Sequence, residues 1–325
     1  MRIAYLGNIA QNAYLLAKGL RALGVEADSF DQQGVGFPMQ HPAWEDGDFD
    51  FAAQGLTVDQ PFWDWTSLEI TNGFRRPPWA KILGNDGRGV RPWYDTQKDF
   101  ERDGLAVVRG QPVLRPRAIQ RHDLYAALQD SATPAAAWED VITTAEKVPD
   151  WRAMRAIVTD GGYDLAVLCG TYAAVGPLLP RAIPYIAFEH ATMRYVPSLA
   201  TGDHRLLALS YQQSAANVIT NADCWEAAGM LGVRDRSTFI PHPLDEEKFC
   251  PGEAPTLRAK LQERLDCELL FLAPARHSRN EAVGSKRNDR ILYAFKRYVD
   301  EAEPQGSPRA GLVLFAWGAR KDIDE

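Results

Sequence analysis

The chain has 325 residues, 46% hydrophobic and 24% charged, the make-up of a soluble globular protein with room for two domains. Its net charge of −7 argues against nucleic acid as a partner, because such binders present a domain-wide positive field. The four cysteines, Cys169, Cys224, Cys250 and Cys267, form no CxxC pair and have no histidine at ligand spacing. A disulfide framework and a zinc site are therefore disfavoured, and a reducing compartment fits.

Met1-Arg2 runs directly into Ile3-Ala4-Tyr5-Leu6-Gly7, too short for the apolar core of a signal peptide. No apolar run approaches the roughly 20 residues that span a bilayer, so a cytoplasmic location is expected. Arg2 to Gly7 reads as a buried parallel strand ending in a glycine turn. From Gln11 to Leu23 the apolar residues Ala13, Leu16, Ala17, Leu20 and Leu23 fall at helical spacing, and Gly24 closes the helix. Val25 to Phe30 is the next strand, so the chain opens as a β-α-β unit.

From about 34 to 150 the pattern weakens into interleaved Pro, Trp, Gly and charge, although Asp123–Leu128 looks helical. This irregular insertion holds a basic stretch: Arg75 to Arg121 carries eleven Lys/Arg against five Asp/Glu, together with Trp79, Trp93 and Tyr94. Such a segment can lie on anionic lipid or receive an anionic acceptor, so peripheral membrane contact through 75–121 is one expectation. A solvated insertion is the plainer one. Alternation returns at Trp151 with a helix through Ile157. The strand Leu165–Gly170, a short helix near Tyr172–Leu179 and the strand Tyr185–Phe188 follow. Helix Arg205–Ala215, strand Asn217–Ile219, helix Asp223–Leu231 and strand Thr238–Ile240 complete the series. Strands alternating with helices predict a parallel sheet covered on both faces, a doubly wound α/β domain over 1–245.

Phe239-Ile240-Pro241-His242-Pro243-Leu244-Asp245, followed by Phe249 and Pro251, then reads as a strand running into a stiff connection, since proline fixes φ and extends its predecessor. Beyond it lie a charged helix Thr256–Leu265, a buried strand Leu269–Ala273, a helix Asn288–Val299 and a strand Leu312–Ala316. These make a partial second α/β domain over 246–325, small for a doubly wound unit.

Several positions carry chemistry. Gly7-Asn8 closes the first strand ahead of the first helix, where backbone N–H groups and the helix dipole favour an anion. The dinucleotide fingerprint fails there, because Gly7-Asn8-Ile9-Ala10-Gln11-Asn12 lacks the second and third glycines. A plain β-α turn is the competing reading. Glu189-His190 follows a buried strand directly, at the edge where open α/β sheets place functional side chains, and His190 could move a proton or bind a hydroxyl near neutral pH. A satisfied structural histidine is the alternative. Arg194 could bind an anionic group or face solvent. Arg276, beyond the strand Leu269–Ala273, and Lys286, ahead of a helix, could neutralise a diphosphate. There is no GxxxxGK[ST] loop, GxSxG elbow or HExxH helix, and the acidic pair Asp46-Gly47-Asp48 reads as a solvated loop.

In these places the chain resembles a GT-B glycosyltransferase, specifically glycosyltransferase family 4. Gly7-Asn8 with Asn12 resembles the family's opening β-α unit, and Phe188-Glu189-His190 with Arg194 its acceptor-domain strand end. Ile240 to Asp245 with Phe249 and Pro251 resembles the interdomain N-G-V-D-x-x-x-F-x-P segment. Ala275-Arg276 with Lys286-Arg287-Asn288 resembles the donor-side G-R…K-G motif, with Ala275 and Arg287 in the glycine places.

The resemblance implies a retaining, metal-independent transfer of sugar from a nucleotide-diphosphate donor, with no resident cofactor. Arg276 and Lys286, with Gly7 and Asn8, would hold the donor diphosphate, and His190 would lie by the transferred sugar. Asn12, Glu189 and Arg194 would serve an acceptor that is a saccharide, a lipid-linked saccharide or a small molecule. The family's late Glu-x7-Glu motif has no counterpart at that spacing in the chain, so an incomplete enzyme is expected. Two other readings stand beside it: a non-catalytic binding module of this fold, and a sugar-nucleotide epimerase or phosphorylase.

Overall fold

The computed structural model describes residues 1–8, 11–32, 41–46, 73–83, 105–108, 111–114, 117–145, 151–190, 193–199, 201–242, 255–273 and 288–314. The chain divides into two compact units, Met1–Leu244 and Asp245–Glu325, so the boundary falls inside the proline-rich connection.

The first unit is built on a seven-stranded, all-parallel sheet in the order β3-β2-β1-β6-β7-β8-β9. Its strands are β1 (Arg2–Leu6), β2 (Glu26–Gln32), β3 (Ala80–Leu83), β6 (Leu165–Cys169), β7 (Tyr185–Phe188), β8 (Ala216–Ile219) and β9 (Ser237–Phe239). β4 (Leu105–Val108) and β5 (Gln111–Leu114) pair separately as an antiparallel hairpin. In β1 the apolar run Ile3-Ala4-Tyr5-Leu6 is buried throughout, because successive side chains enter opposite faces and both faces are covered.

Ile3, Tyr5, Val167, Cys169 and Phe188 form one core, with Ala13 and Ala17 of helix α1 (Asn12–Ala22). Ala4, Leu6, Ala166, Leu168 and Ala187 form the other. It is covered by α3 (Arg117–Asp130), α4 (Trp138–Ala145), α5 (Trp151–Asp160) and α6 (Gly202–Gln213), with α2 (Ala43–Asp46) preceding them in the chain. This is the doubly wound α/β architecture that alternating strands and helices predict. Helix α7 (Cys224–Met230) joins the second core through Cys224, Ala227 and Ala228.

Two expectations need correction. The stretch 34–150 is not irregular throughout: Ala80–Leu83 extends the sheet beside β2, and α3 and α4 bury Leu124, Leu128, Val141 and Ile142. β3 is only four residues long and follows two prolines, and α3 carries too few apolar residues for a clear helical stripe. Leu23, read as part of the buried stripe, is 80% exposed, because the helix ends at Ala22 and the chain turns at Gly24, whose φ is +81°. The short helix expected between β6 and β7 is present as 3₁₀ over Gly170–Leu178, with Pro177 inside it.

The second unit pairs β10 (Leu269–Ala273) with β11 (Ala310–Leu314) in parallel, alongside α8 (Pro255–Leu265) and α9 (Asn288–Arg297). A turn of π-helix, Tyr298–Ala302, continues α9. β11 starts two residues earlier than the sequence pattern suggested, since its Leu312 pairs with Phe271 in mid-strand.

Candidate functional site

The sheet reverses direction of growth between β1 and β6: the chain leaves β1 toward β2 and leaves β6 toward β7. In open α/β sheets the carboxyl edge at such a switch point is where ligands bind. The polar residues of the first unit that the sequence singles out meet along this edge.

After β1, Gly7 turns at φ +87° and donates its N–H to Phe30 O at 2.9 Å. A Cβ at this position would lie 2.2 Å from Cδ2 of Tyr172, the half-buried residue that follows β6, so only glycine lets the ring close over the turn. Asn8 is buried and spans the gap to α1. Its Oδ1 accepts from the Tyr14 N–H at 2.9 Å, and its Nδ2 donates to Gln11 Oε1 at 3.1 Å. Gln11 adopts φ 63° at the N-cap and donates Nε2–H to His41 O at 2.7 Å. The turn is thus held by side-chain amides where the dinucleotide fingerprint would use glycines.

Asn12, on the first turn of α1, reaches past the end of β6 to the histidine after β7: its Nδ2 lies 3.1 Å from His190 Nδ1. With the amide donating, the neutral imidazole carries its hydrogen on Nε2. His190 is half-buried, and burial, then the neighbouring His242, holds its pKa below the ordinary histidine value, against an opposing pull from Glu189. It is mostly neutral near pH 7.

Glu189 is fully buried. Its Oε2 accepts from Thr220 Oγ1 at 2.9 Å, Asn221 Nδ2 at 3.2 Å and the Thr220 N–H at 3.4 Å, all just beyond β8. The Cys224 thiol meets the same carboxylate and is pushed up to about 12, by burial first and then by the Glu189 charge and its hydrogen bond. The carboxylate therefore ties the ends of β7 and β8 together beneath His190. Arg194 pairs with Asp223: Nε lies 2.6 Å from Oδ2, and Nη2 donates a hydrogen bond to Oδ1 at 3.0 Å that holds the Asp223 carboxyl below the usual carboxylate range. Its charge is matched within the unit.

Arg276 and Lys286 lie outside the described residues, as do Trp93, Tyr94 and Asp48. Trp79 is half-buried: it stacks on Tyr14 at 4.9 Å and lies under Arg21 at 5.7 Å. Asp46 accepts from the Tyr14 hydroxyl and from Lys18 Nζ at 2.7 Å. Among the described residues no cluster of three His, Cys, Asp or Glu could hold a metal, and no helix is long and apolar enough to cross a membrane.

Tyr172, Gln11, Thr220, Asn221 and His242 join this edge without having stood out as site residues. The signal that locates them is position, since each follows a strand's carboxyl end or the turn after it. The arrangement defines a class: an open parallel α/β unit with a neutral histidine at its carboxyl edge, set by an amide on one side and a buried carboxylate below.

No protein-family model and no curated protein matches the sequence. Among solved structures the chain is similar to Anabaena Alr3699/HepE in complex with UDP, at 11% identity and a TM-score of 0.40, over 99% of this chain and 70% of that one. The same protein with UDP and glucose gives 11% identity and a TM-score of 0.42, over 97% and 69%. UDP-N-acetylglucosamine 2-epimerase from Rickettsia bellii gives 9% identity and a TM-score of 0.38, over 98% and 69%. Likenesses this loose carry no argument, and the functional reading rests on the chain's own residues.

Proposed function

We propose that this protein is a GT-B-type glycosyltransferase, similar to family 4, that moves a sugar from a nucleotide-diphosphate donor to an acceptor hydroxyl with retention and without a metal. One observation carries the reading: His190 stands at the carboxyl edge of the parallel sheet, beside the switch point, with Asn12 on its Nδ1. A polar, largely neutral edge of this kind suits a polyhydroxyl ligand, because amide and imidazole groups can both donate and accept.

In this reading Arg276 and Lys286 neutralise the donor diphosphate. Departure of the nucleoside diphosphate builds negative charge while the anomeric carbon becomes oxocarbenium-like. Fixed cations then stabilise the transition state more than the bound substrate. His190 lies by the transferred sugar and offers Nε2–H to one of its oxygens. Gly7 and Asn8 contribute the turn against which the diphosphate rests. Asn12 and Arg194 face the acceptor side, and Glu189 serves that side from beneath, through Thr220 and Asn221. The acceptor is a saccharide, a lipid-linked saccharide or a small molecule.

Calorimetric titration of the chain with UDP- and GDP-sugars, beside a product assay with a panel of hydroxyl acceptors, tests the reading. Donor binding that weakens at least tenfold in Lys286→Ala, with whatever transfer the wild type shows lost in His190→Ala, supports it. Absence of binding to every nucleotide sugar, or transfer unchanged in both variants, refutes it.

A further inference from the structure

The proposed mechanism leaves a second histidine of the edge without a task. His242 comes just after β9, where the Ile240 N–H is still bonded to Ile219 O at 3.0 Å. Its ring lies 5.0 Å from that of His190 at an interplanar angle of 65°, and 6.4 Å from the ring of Phe188. His190 thus has Asn12 at Nδ1, an imidazole packed against its ring, and the buried Glu189 next to it in the chain. These contacts come from α1 and from the ends of β7 and β9, three segments far apart in sequence.

We infer that His242 is a positioning residue of the candidate site, packed edge to face on His190 so that, with Asn12, it keeps that ring in one orientation with the hydrogen on Nε2. The inference rests on His190 being the sugar-side histidine of the proposed transferase. A ring free to turn would divide between two tautomers and present the wrong nitrogen for part of the time. Edge-to-face packing limits that freedom.

The two rings also share charge. Glu189 acts on both rings, and the Cys224 thiol lies between that carboxylate and the Arg194–Asp223 pair. Burial holds the pKa of both histidines down; the neighbouring His242 lowers that of His190 further, and Glu189 pulls both up. A proton taken by one ring therefore disfavours a second proton on the other.

Long-range 1H–15N imidazole spectra of the 15N-histidine-labelled chain, recorded through a pH titration, test this without any substrate. The wild type is expected to show His190 as the Nε2–H tautomer, titrating below an ordinary histidine. His242→Phe keeps an aromatic ring in place, so the tautomer should persist while the His190 midpoint rises. His242→Ala should raise the midpoint and also bring in the Nδ1–H tautomer. Glu189→Gln should lower the midpoints of His190 and His242 together. A wild-type His190 of mixed tautomer, or a tautomer and midpoint unchanged in both His242 variants, overturns the inference. His242 is exposed, so these variants should not disturb folding. Failure to bind nucleotide sugars would count against the transferase and leave these titrations unchanged.

Discussion

Strands β1 and β10, Arg-Ile-Ala-Tyr-Leu and Leu-Leu-Phe-Leu-Ala, are both five residues long and mostly apolar, and both pair in parallel, yet their surroundings differ. In β1 the last four residues are buried, because α1 covers one face and the group α3–α6 covers the other. In β10 Phe271 is 40% exposed and Leu272, on the opposite face, is 57% exposed. A parallel strand is stable when helices cover both faces, so the same kind of sequence is a core strand in the first unit and a thinly covered one in the second. Apolar composition marks a strand as able to be buried. The neighbouring elements decide whether it is.

The largest expected effect sets these strands against each other. Leu168→Ala, in the fully buried layer of the first unit, should cost about 2–5 kcal/mol of unfolding free energy. Leu272→Ala should cost about 0.5 kcal/mol or less, as a mostly exposed site does. Urea unfolding followed by tryptophan fluorescence measures both, and equal losses would break the comparison.

Next in size is the turn at the switch point. Gly7→Ala meets both a left-handed backbone and the Tyr172 ring, and should cost about 1–3 kcal/mol. Gly24→Ala, left-handed with open space around it, meets only the backbone term and should cost about 1 kcal/mol. If thermal melts rank the two the other way, the ring does not close on Gly7.

Acid sensitivity sharpens the comparison further, because among the described residues the groups shifted from their ordinary values belong to the first unit. His190 and His242 are depressed bases, so the unfolded chain binds protons first, and stability falls as pH drops from about 6.5 through their native values. Asp28 adds a second, lower window. Burial raises its pKa, but hydrogen bonds from Lys81 Nζ at 2.6 Å and the Tyr163 hydroxyl at 2.5 Å outweigh this and hold it low. Its contribution is present above about pH 4 and is lost as pH falls through the native value. His242→Phe should flatten only the upper window and Asp28→Asn only the lower, in denaturation series at stepped pH.

The smallest effect is expected at Arg194. Its partner Asp223 is 58% exposed, so solvent screens the pair, and Arg194→Ala should change stability by about 0–1 kcal/mol, less at high salt. A loss well above that would mean Arg194 supports the edge beneath His190.

The sequence by itself determined the alternation of strands and helices in the first unit, because period-2 and period-3.6 patterns are local and strong there. It placed Tyr185–Phe188 and Leu269–Ala273 to the residue, and it pointed to Gly7 and His190, since the residue after a buried strand lies at the sheet's carboxyl edge; Asn12 came only through the family resemblance. It did not reveal β3 or the core role of α3 and α4, whose short or polar segments are buried only because the sheet and its helices accept them. Only the tertiary structure brought Asn12 to His190, 178 positions away, set His242 against that ring, and put Tyr172 where a side chain on Gly7 would stand. Those contacts depend on strand order, and strand order is decided by which hydrophobic faces can be covered together, a property of the whole chain rather than of any window within it.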